Sequence, residues 1–443
     1  MRSSSESRWS SWFEPAAGAT GFAVVLALIA LRVPVAVSMG VVGTLGYGLV
    51  NGWATLGFVL GRAPFESIFP VGLSVLPLFI VMGVFAAHGG LSKSLYGFVA
   101  TLVGHFRGGL ALATIGACAI FGAVCGSAIA TAATMGRVAM PEMRRAGYDD
   151  RLSSASVAAG GTLGVMIPPS ILFVIYGLMT EQSIGKLLAA GILPGILGTL
   201  LYMGAVSWAT ARDPKLGPAG PKSSWTARIQ AGKDVWQVVI LFAVVLGGMY
   251  YGLFSPTEAA AVGAFGAVLL AWVGGKLRRD NAREAVIETA LTTGMIFTIL
   301  IGAGIFNYFI DSTGLTDALV KWVADLGYSR WVVMLILMVM YIILGALMDE
   351  LAMMLLTVGP VFKLIVALGF DPIWFGVMFV TVCEIGMIVP PVGINLFVIQ
   401  GVTGLPLQTI VRGITPFVVA DCFRLLILAL VPAIATWLPG RMG

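Results

Sequence analysis

Long runs of apolar residues without a charged side chain recur along the sequence. Six of these runs occupy residues Gly108–Gly136, Leu152–Thr180, Leu187–Ala211, Val235–Thr257, Thr289–Ile310 and Ile385–Val411. Each run reaches or exceeds the roughly 20 residues that a helix needs to cross the hydrocarbon core of a bilayer. The pattern therefore predicts an all-α, polytopic membrane protein.

Two of the runs are interrupted by a pair of prolines. The first reads TLGVMIPPSILFVIYGL at residues 162–178, and the second reads EIGMIVPPVGINLFVIQG at residues 384–401. Proline lacks a backbone N–H and clashes with the carbonyl one turn earlier, so two in succession open a helix. Unwound backbone at membrane depth is tolerated only where protein buries it or where it lines a cavity. Two broken helices in corresponding halves therefore indicate the binding site of a secondary transporter.

The two halves of the sequence align with each other at a constant offset of 222 residues. The matched pairs are Pro34 with Pro256, Gly147 with Gly369, Asp149 with Asp371, Gly164 with Gly386, and Pro168-Pro169 with Pro390-Pro391. Weak internal symmetry of this kind marks many transporter folds. We predict one transporter domain over residues 14–438, with repeat 1 at 14–210, a cytoplasmic linker at 211–234 and repeat 2 at 235–438.

Each half also contains an apolar segment that is broken near its middle. These segments predict two re-entrant hairpins, the first at residues 108–143 with its tip near Gly126, the second at 331–363 with its tip near Asp349. Three helices precede the first hairpin, and because that number is odd, repeat 2 must have inverted topology relative to repeat 1. Residues 51–66 are predicted to form a loop, and residues 413–437 to form the last helix.

Basic residues set the predicted orientation. They concentrate in three loops, at residues 137–151, 212–233 and 276–283. The positive-inside rule assigns such loops to the cytoplasm. Hairpin 1 is then expected to enter the membrane from the cytoplasm and hairpin 2 from outside, with both termini periplasmic.

Each hairpin tip is expected to meet a broken helix, and the two meeting points are candidate Na⁺ sites. Unwinding frees carbonyl oxygens, and the C-terminal end of a half-helix adds partial negative charge, while half-helix N-termini suit a substrate carboxylate. Site 1 comprises Gly126, Ser127, Thr131, Gly161, Thr162, Pro168, Pro169 and Ser170. Site 2 comprises Met348, Asp349, Glu350, Glu384, Gly386, Pro390, Pro391 and Asn395.

Structural roles compete with ligand roles at these positions. Ser, Thr and Gly in membrane helices also serve close packing and hydrogen bonding between helices. Carboxylates in apolar runs are costly and by default functional, yet Asp349 or Glu350 also fits pairing with Arg424 or capping of a half-helix. Asp421 lies one turn before Arg424 and fits an ion pair with it. Glu258 fits an ordinary capping box at a helix start.

Composition narrows the class further. The 443 residues are 58% hydrophobic and 11% charged, against roughly 25% charged in an average soluble domain. The net charge of +5 resides in short loops and is not a nucleic-acid signature. The sequence contains two histidines and no Gly-rich phosphate loop followed by Lys-Ser/Thr. We therefore expect no enzyme activity, no cofactor and no ATP hydrolysis, which leaves an ion gradient as the energy source.

Four stretches resemble a known family. They are GSAIATAATMGRVAMPEMRRAGYD (126–149), GGTLGVMIPPSI (160–171), LGALMDELAMMLLTVGP (344–360) and EIGMIVPPVGINLFVIQG (384–401). The sequence resembles the large membrane subunit of TRAP transporters, the DctM-like family, over about residues 14–438. The resemblance implies an elevator-type, multi-pass protein of the bacterial inner membrane, with Na⁺ as coupling ion between each hairpin tip and its neighbouring loop.

The resemblance also implies partners and a substrate class. Family members import organic acids such as C4-dicarboxylates and sialic acid, delivered by a periplasmic substrate-binding protein. Only about a dozen polar residues precede the first predicted helix, so the small four-helix membrane subunit is expected to be a separate chain. Two rival hypotheses remain open: a stand-alone Na⁺- or H⁺-coupled carboxylate carrier, and a passive channel.

Overall fold

The computed structural model describes residues 6–275 and 277–442, and every regular element among them is helical. Lys276, in the third basic loop, lies outside the described residues. The first half contains ten α-helices: α1 Glu6–Ala30, α2 Val35–Asn51, α3 Trp53–Ile68, α4 Val75–His88, α5 Leu91–Val103, α6 Gly109–Cys125, α7 Ala128–Arg145, α8 Asp150–Met166, α9 Ile171–Thr180 and α10 Ile184–Arg212.

The second half contains eleven more α-helices in its described part. They are α11 Trp225–Lys233, α12 Trp236–Tyr250, α13 Pro256–Val273, α14 Arg279–Thr313, α15 Leu315–Asp325, α16 Arg330–Gly345, α17 Glu350–Ala367, α18 Pro372–Ile388, α19 Ile394–Thr403, α20 Leu407–Leu430 and α21 Ala433–Thr436. By length and composition, seven spans of the described chain can cross a membrane, or eight if the bent pair α11–α12 is one span.

The centre of the fold is formed by α8 and α18, the helices that precede the two proline pairs. Every residue from Leu152 to Met166 in α8 is buried, and so is every residue from Trp374 to Ile388 in α18. Helices α6 and α7 pack on α8, and α16 packs on α18. A second group, in which α2 and α3 pack on α14 and α4 packs on α13, lies beside this centre.

Local sequence explains where the central helices begin. Asp149 and Asp371 cap α8 and α18, each accepting a hydrogen bond from a backbone N–H of the first turn. Ser127 and Ser170 cap α7 and α9 in the same way. Such side chains satisfy N–H groups that have no partner inside the helix, which matters most where water is scarce.

Two predicted segment assignments, at residues 51–66 and 413–437, are wrong, and the predicted linker is partly helical. Residues 53–66 lie in helix α3 rather than in a loop, because Leu56, Val59 and Ala63 repeat at helical spacing and bury one face. The predicted linker contains α11, which Ser224 caps and which packs on α5. The last long helix starts at Leu407 and ends at Leu430, before Pro432, a residue that cannot continue a helix hydrogen-bond ladder.

Candidate functional site

The first proline pair lies in a short, largely buried gap between α8 and α9. Pro168, Pro169 and Ser170 are all buried. The Ser170 hydroxyl accepts a hydrogen bond from the Phe173 N–H at 3.4 Å and donates one to the Val165 carbonyl. The Ser170 hydroxyl therefore already forms hydrogen bonds with the backbone on both sides of the break. The carbonyl of Pro169 instead faces the hairpin formed by α6 and α7.

The tip of that hairpin touches the break directly. Gly126 ends α6 with φ +65°, and a Cβ there would lie 2.7 Å from the Pro169 carbonyl oxygen. Two features therefore require glycine at this position: the left-handed backbone and the close approach of the Pro169 carbonyl. The next residue, Ser127, caps α7 through its hydroxyl, and its carbonyl accepts a 2.7 Å hydrogen bond from the Thr131 hydroxyl.

Oxygen atoms from both elements lie near this contact. A Cβ on Gly164 of α8 would lie 2.8 Å from Thr131 Oγ1 and 3.0 Å from the Ser127 carbonyl oxygen. The Pro169 carbonyl faces Gly126, the residue before Ser127, and the Ser127 carbonyl also accepts a hydrogen bond from the Thr131 N–H at 3.1 Å. Hydroxyl and carbonyl oxygens are the hard ligands that alkali and alkaline-earth cations take in proteins. This part of site 1 has the donor chemistry of a cation site.

Two other residues of site 1 have different neighbours. Gly161 packs against Ala132 of α7, where an added Cβ would lie 2.7 Å from the alanine Cβ. Thr162 donates to the Ala159 carbonyl at 2.7 Å, and its hydroxyl lies 3.1 Å from the Tyr202 hydroxyl. Thr162 therefore points toward α10 rather than toward the hairpin tip.

The second proline pair lies in a longer and more open gap. Helix α18 ends at Ile388 and α19 begins at Ile394, and both Pro390 and Pro391 are exposed. Gly393, with φ +50°, donates its N–H to the Ala346 carbonyl of the second hairpin at 3.3 Å. Hairpin 2 therefore also contacts its broken helix, but the two prolines of this break are exposed at the protein surface.

Both hairpins cross their central helix at a pair of glycines. A Cβ on Gly122 would lie 2.5 Å from the Gly164 Cα, and a Cβ on Gly386 would lie 2.7 Å from Gly345 backbone atoms. Small residues allow two helix backbones to approach this closely. The two halves thus share one construction, a hairpin held against a central helix one turn before its break.

The tip of hairpin 2 carries two carboxylates with different surroundings. Asp349 caps α17, accepting hydrogen bonds from the N–H groups of Leu351 at 3.1 Å and Ala352 at 3.3 Å. Glu350 is 6% exposed, and its Oε2 has no hydrogen-bond partner among residues 6–275 and 277–442. Met348 beside them is buried. Glu350 is therefore the carboxylate of this tip that retains unused acceptor capacity.

Glu384 belongs to a separate polar network buried between helices. The side chain pairs with Arg424 of α20, and Arg424 also pairs with Asp421 at 2.9 Å. The Tyr202 hydroxyl donates to Asp421 and meets Thr162. All five side chains are 0% exposed. The network connects α8, α10, α18 and α20, and it contains Thr162 of site 1 and Glu384 of site 2.

Tyr202 is a member of this network that the sequence does not predict. Tyr202 lies in an apolar run with no charged neighbour, so nothing in the sequence distinguishes it from a packing residue. Gly198, one turn earlier, makes room for the arginine, since a Cβ there would lie 2.2 Å from Arg424 Nη1. The expected Asp421–Arg424 pair is present, whereas neither Asp349 nor Glu350 pairs with Arg424.

Asn395 links the second break to the first half of the protein. Its amide donates to the Ala158 carbonyl of α8 at 3.1 Å. The side chain is fully buried, and its Oδ1 has no partner in the described part of the chain. Asn395 therefore lies between the two halves, on a different contact from the Asp349–Glu350 tip.

Comparison with known proteins shows which protein family the chain matches. Residues 22–434 match the family model described as "Tripartite ATP-independent periplasmic transporter, DctM component". The C4-dicarboxylate TRAP transporter large permease protein DctM of Pseudomonas aeruginosa is 38% identical over 383 residues, which cover 86% of this chain and 88% of that protein. The sialic acid TRAP transporter large permease protein SiaM of Vibrio cholerae is 31% identical, covering 83% and 86%.

A solved structure shares the fold at low identity. The YdaH transporter of Alcanivorax borkumensis superposes with a TM-score of 0.61 at 18% identity, covering 88% of this chain and 90% of that one. At this identity, the similarity concerns the fold alone. The matched family and relatives are transporter permeases rather than enzymes.

Proposed function

The chain belongs to the DctM family of tripartite ATP-independent periplasmic transporters, and from this premise we propose that it is the large permease subunit of a Na⁺-driven organic-acid importer. It resides in the bacterial inner membrane. A small membrane subunit and a periplasmic substrate-binding protein complete the system. The relatives named for C4-dicarboxylate and sialic acid support a substrate that carries a carboxylate.

One observation carries the proposed Na⁺ coupling. At site 1, the Ser127 carbonyl and the Thr131 hydroxyl lie beside Gly164 of the central helix, and the Pro169 carbonyl faces Gly126 at the hairpin tip. A neutral oxygen cluster at the end of a half-helix favours a monovalent cation, because the helix C-terminus adds partial negative charge without the desolvation cost of a carboxylate. At site 2, the unpaired Glu350 oxygen and the open Pro390–Pro391 segment supply the corresponding oxygens.

The proposed transport cycle rests on which helices pack together around α8 and α18 at the centre of the fold. The two hairpins and the two broken helices move as one body against α2–α4 and α12–α14, in the elevator manner. The substrate carboxylate binds between the two breaks, near the buried Asn395, whose side chain already spans the two halves. Inverted repeats would give this body one break for each side of the membrane.

A transport assay tests the proposal. The chain is reconstituted in liposomes with its small subunit, and uptake of labelled organic acids is followed with and without an inward Na⁺ gradient and the binding protein. Uptake that requires both is the expected result. Na⁺-dependent uptake without the binding protein would instead support a stand-alone carrier, and uptake or current indifferent to Na⁺ would refute the coupling and favour a channel.

A matched pair of variants then tests site 1. Thr131→Val and Thr199→Val each remove a hydroxyl that donates to the carbonyl four residues earlier. Only Thr131 lies at the hairpin tip. We expect Thr131→Val to raise the Na⁺ concentration for half-maximal uptake about tenfold, equivalent to the loss of one ligand contact of about 1.4 kcal/mol. Equal behaviour of the two variants would remove Thr131 from the Na⁺ site.

A further inference from the structure

An apolar groove lies on the outer surface between α10 and α20. Its volume is about 590 Å³. The floor consists of small residues, Gly204, Ala205 and Ala420, and the rim includes Val419 and Phe423, which are 63% and 55% exposed. Both helices are candidate membrane spans. The groove therefore faces the region that lipid tails occupy.

The groove has the length of one leaflet. On α20 it runs from Arg412 to Phe423, and the eleven steps between these residues, at about 1.5 Å each, span about 16 Å. Half of a hydrocarbon core of about 30 Å is nearly the same length.

One end of the groove is basic and aromatic. Trp208 lies in the groove, and the Arg212 guanidinium sits 5.7 Å from its ring centroid. Tryptophan is enriched where a membrane meets water. Arg412 lines the same end. The loops that follow α10 and α7 are the basic loops that the positive-inside rule assigns to the cytoplasm.

Arg412 also lines a second cleft, polar and about 450 Å³ in volume, so the groove and the cleft meet at its side chain. The cleft contains two carboxylates, but each already has a guanidinium: Asp150 pairs with Arg144 at 2.8 Å, and Asp149 with Arg151 at 2.9 Å. The hydrogen bond from Arg151 lowers the pKa of Asp149. Arg412 forms no ion pair with a carboxylate of any described residue.

We propose that this groove binds one glycerophospholipid with an anionic headgroup, whose phosphate contacts Arg412 and whose acyl chain lies between α10 and α20. The charge supports this occupant, because Arg412 is unpaired and guanidinium is the side chain best suited to phosphate. The apolar floor supports this occupant as well. The polar cleft adjoins the apolar groove, so one lipid can place its headgroup in the cleft and its acyl chain in the groove. The proposal does not depend on the transported substrate or on Na⁺.

Native mass spectrometry of the full-length chain tests the proposal. The protein is delipidated in detergent and titrated with phosphatidylglycerol or with phosphatidylcholine of the same acyl chains. We expect one tightly bound phosphatidylglycerol and weaker phosphatidylcholine. Arg412→Gln should weaken phosphatidylglycerol binding about tenfold, the effect of losing one charge-assisted hydrogen bond. Gly204→Leu should abolish binding of both lipids, because a Cβ at Gly204 meets open space and the leucine fills the groove without a clash.

Two control variants match these changes elsewhere on the surface. Arg107→Gln removes another exposed arginine, and Gly294→Leu fills open space beside another candidate span. Both controls should bind phosphatidylglycerol normally. Unchanged binding in Gly204→Leu, or equal binding of both lipids with no effect of Arg412→Gln, would overturn the proposal. Two other results would also overturn the proposal. One is glycerol phosphate that binds as tightly as the lipid, and the other is a dimer of the chain that Gly204→Leu dissociates.

Discussion

The buried ion pairs around Arg424 give the sharpest stability prediction. Arg424 is the single cation facing two carboxylates, Glu384 and Asp421, and all three side chains are 0% exposed. Arg424→Met therefore leaves two buried carboxylates without a counter-charge. Removing one partner of a buried pair costs roughly 3–5 kcal/mol. We expect this cost in the free energy of unfolding of Arg424→Met at neutral pH.

The opposite substitution should cost much less. Glu384→Gln keeps the volume and leaves a one-to-one pair between Arg424 and Asp421. What is lost is one charged hydrogen bond, replaced by a bond to a neutral amide oxygen, so the expected cost is about 1 kcal/mol. The ordering of the two variants, rather than either value, follows from the two-to-one charge ratio.

Denaturant titration of the purified chain in micelles measures both values, since a shifted midpoint with an unchanged slope reports stability. Arg107→Met, which removes an exposed arginine outside the network, should stay within about 0.5 kcal/mol of the parent protein. The double variant Glu384→Gln/Arg424→Met completes a cycle that yields the pairwise coupling. A cost below about 1 kcal/mol for Arg424→Met, or equal costs for Glu384→Gln and Arg424→Met, would contradict the two-to-one charge ratio.

Three further outcomes follow from the geometry. Gly386→Ala should cost about 1–3 kcal/mol, because its Cβ would lie 2.7 Å from Gly345 backbone atoms, whereas Gly247→Ala meets open space and should be nearly neutral; equal midpoints in the same titration would contradict the close crossing. Tyr202→Phe removes the hydroxyl that joins Thr162 to Asp421, and thermal unfolding should report a loss of about 1–2 kcal/mol; an unchanged transition would mean that the network does not depend on it. Asp349→Asn should retain the cap of α17, while Asp349→Ala should lose about 1 kcal/mol; identical stabilities would refute the capping role.

Much of the fold follows from local sequence chemistry. Apolar runs of membrane length predict the all-α, multi-pass class, because a buried backbone in lipid must satisfy its own hydrogen bonds. The proline pairs lie where α8 and α18 end, since proline can neither donate to the helix ladder nor avoid the preceding carbonyl. The motifs around them also predicted the family. Local amphipathicity was harder to read: the face formed by Leu56, Val59 and Ala63 is short and lies in a weakly apolar stretch.

The partners within the site depended on tertiary structure. Thr162 and Tyr202 are 40 residues apart, Tyr202 and Asp421 are 219 apart, and Glu384 and Arg424 are 40 apart. Sequence shows that each costly side chain needs a partner at membrane depth, but not which one. That choice was made by helix packing, which brings α8, α10, α18 and α20 together. The sequence thus determined which side chains cost free energy to bury. The packing of distant helices determined which hydrogen-bond or ion-pair partner each of them has.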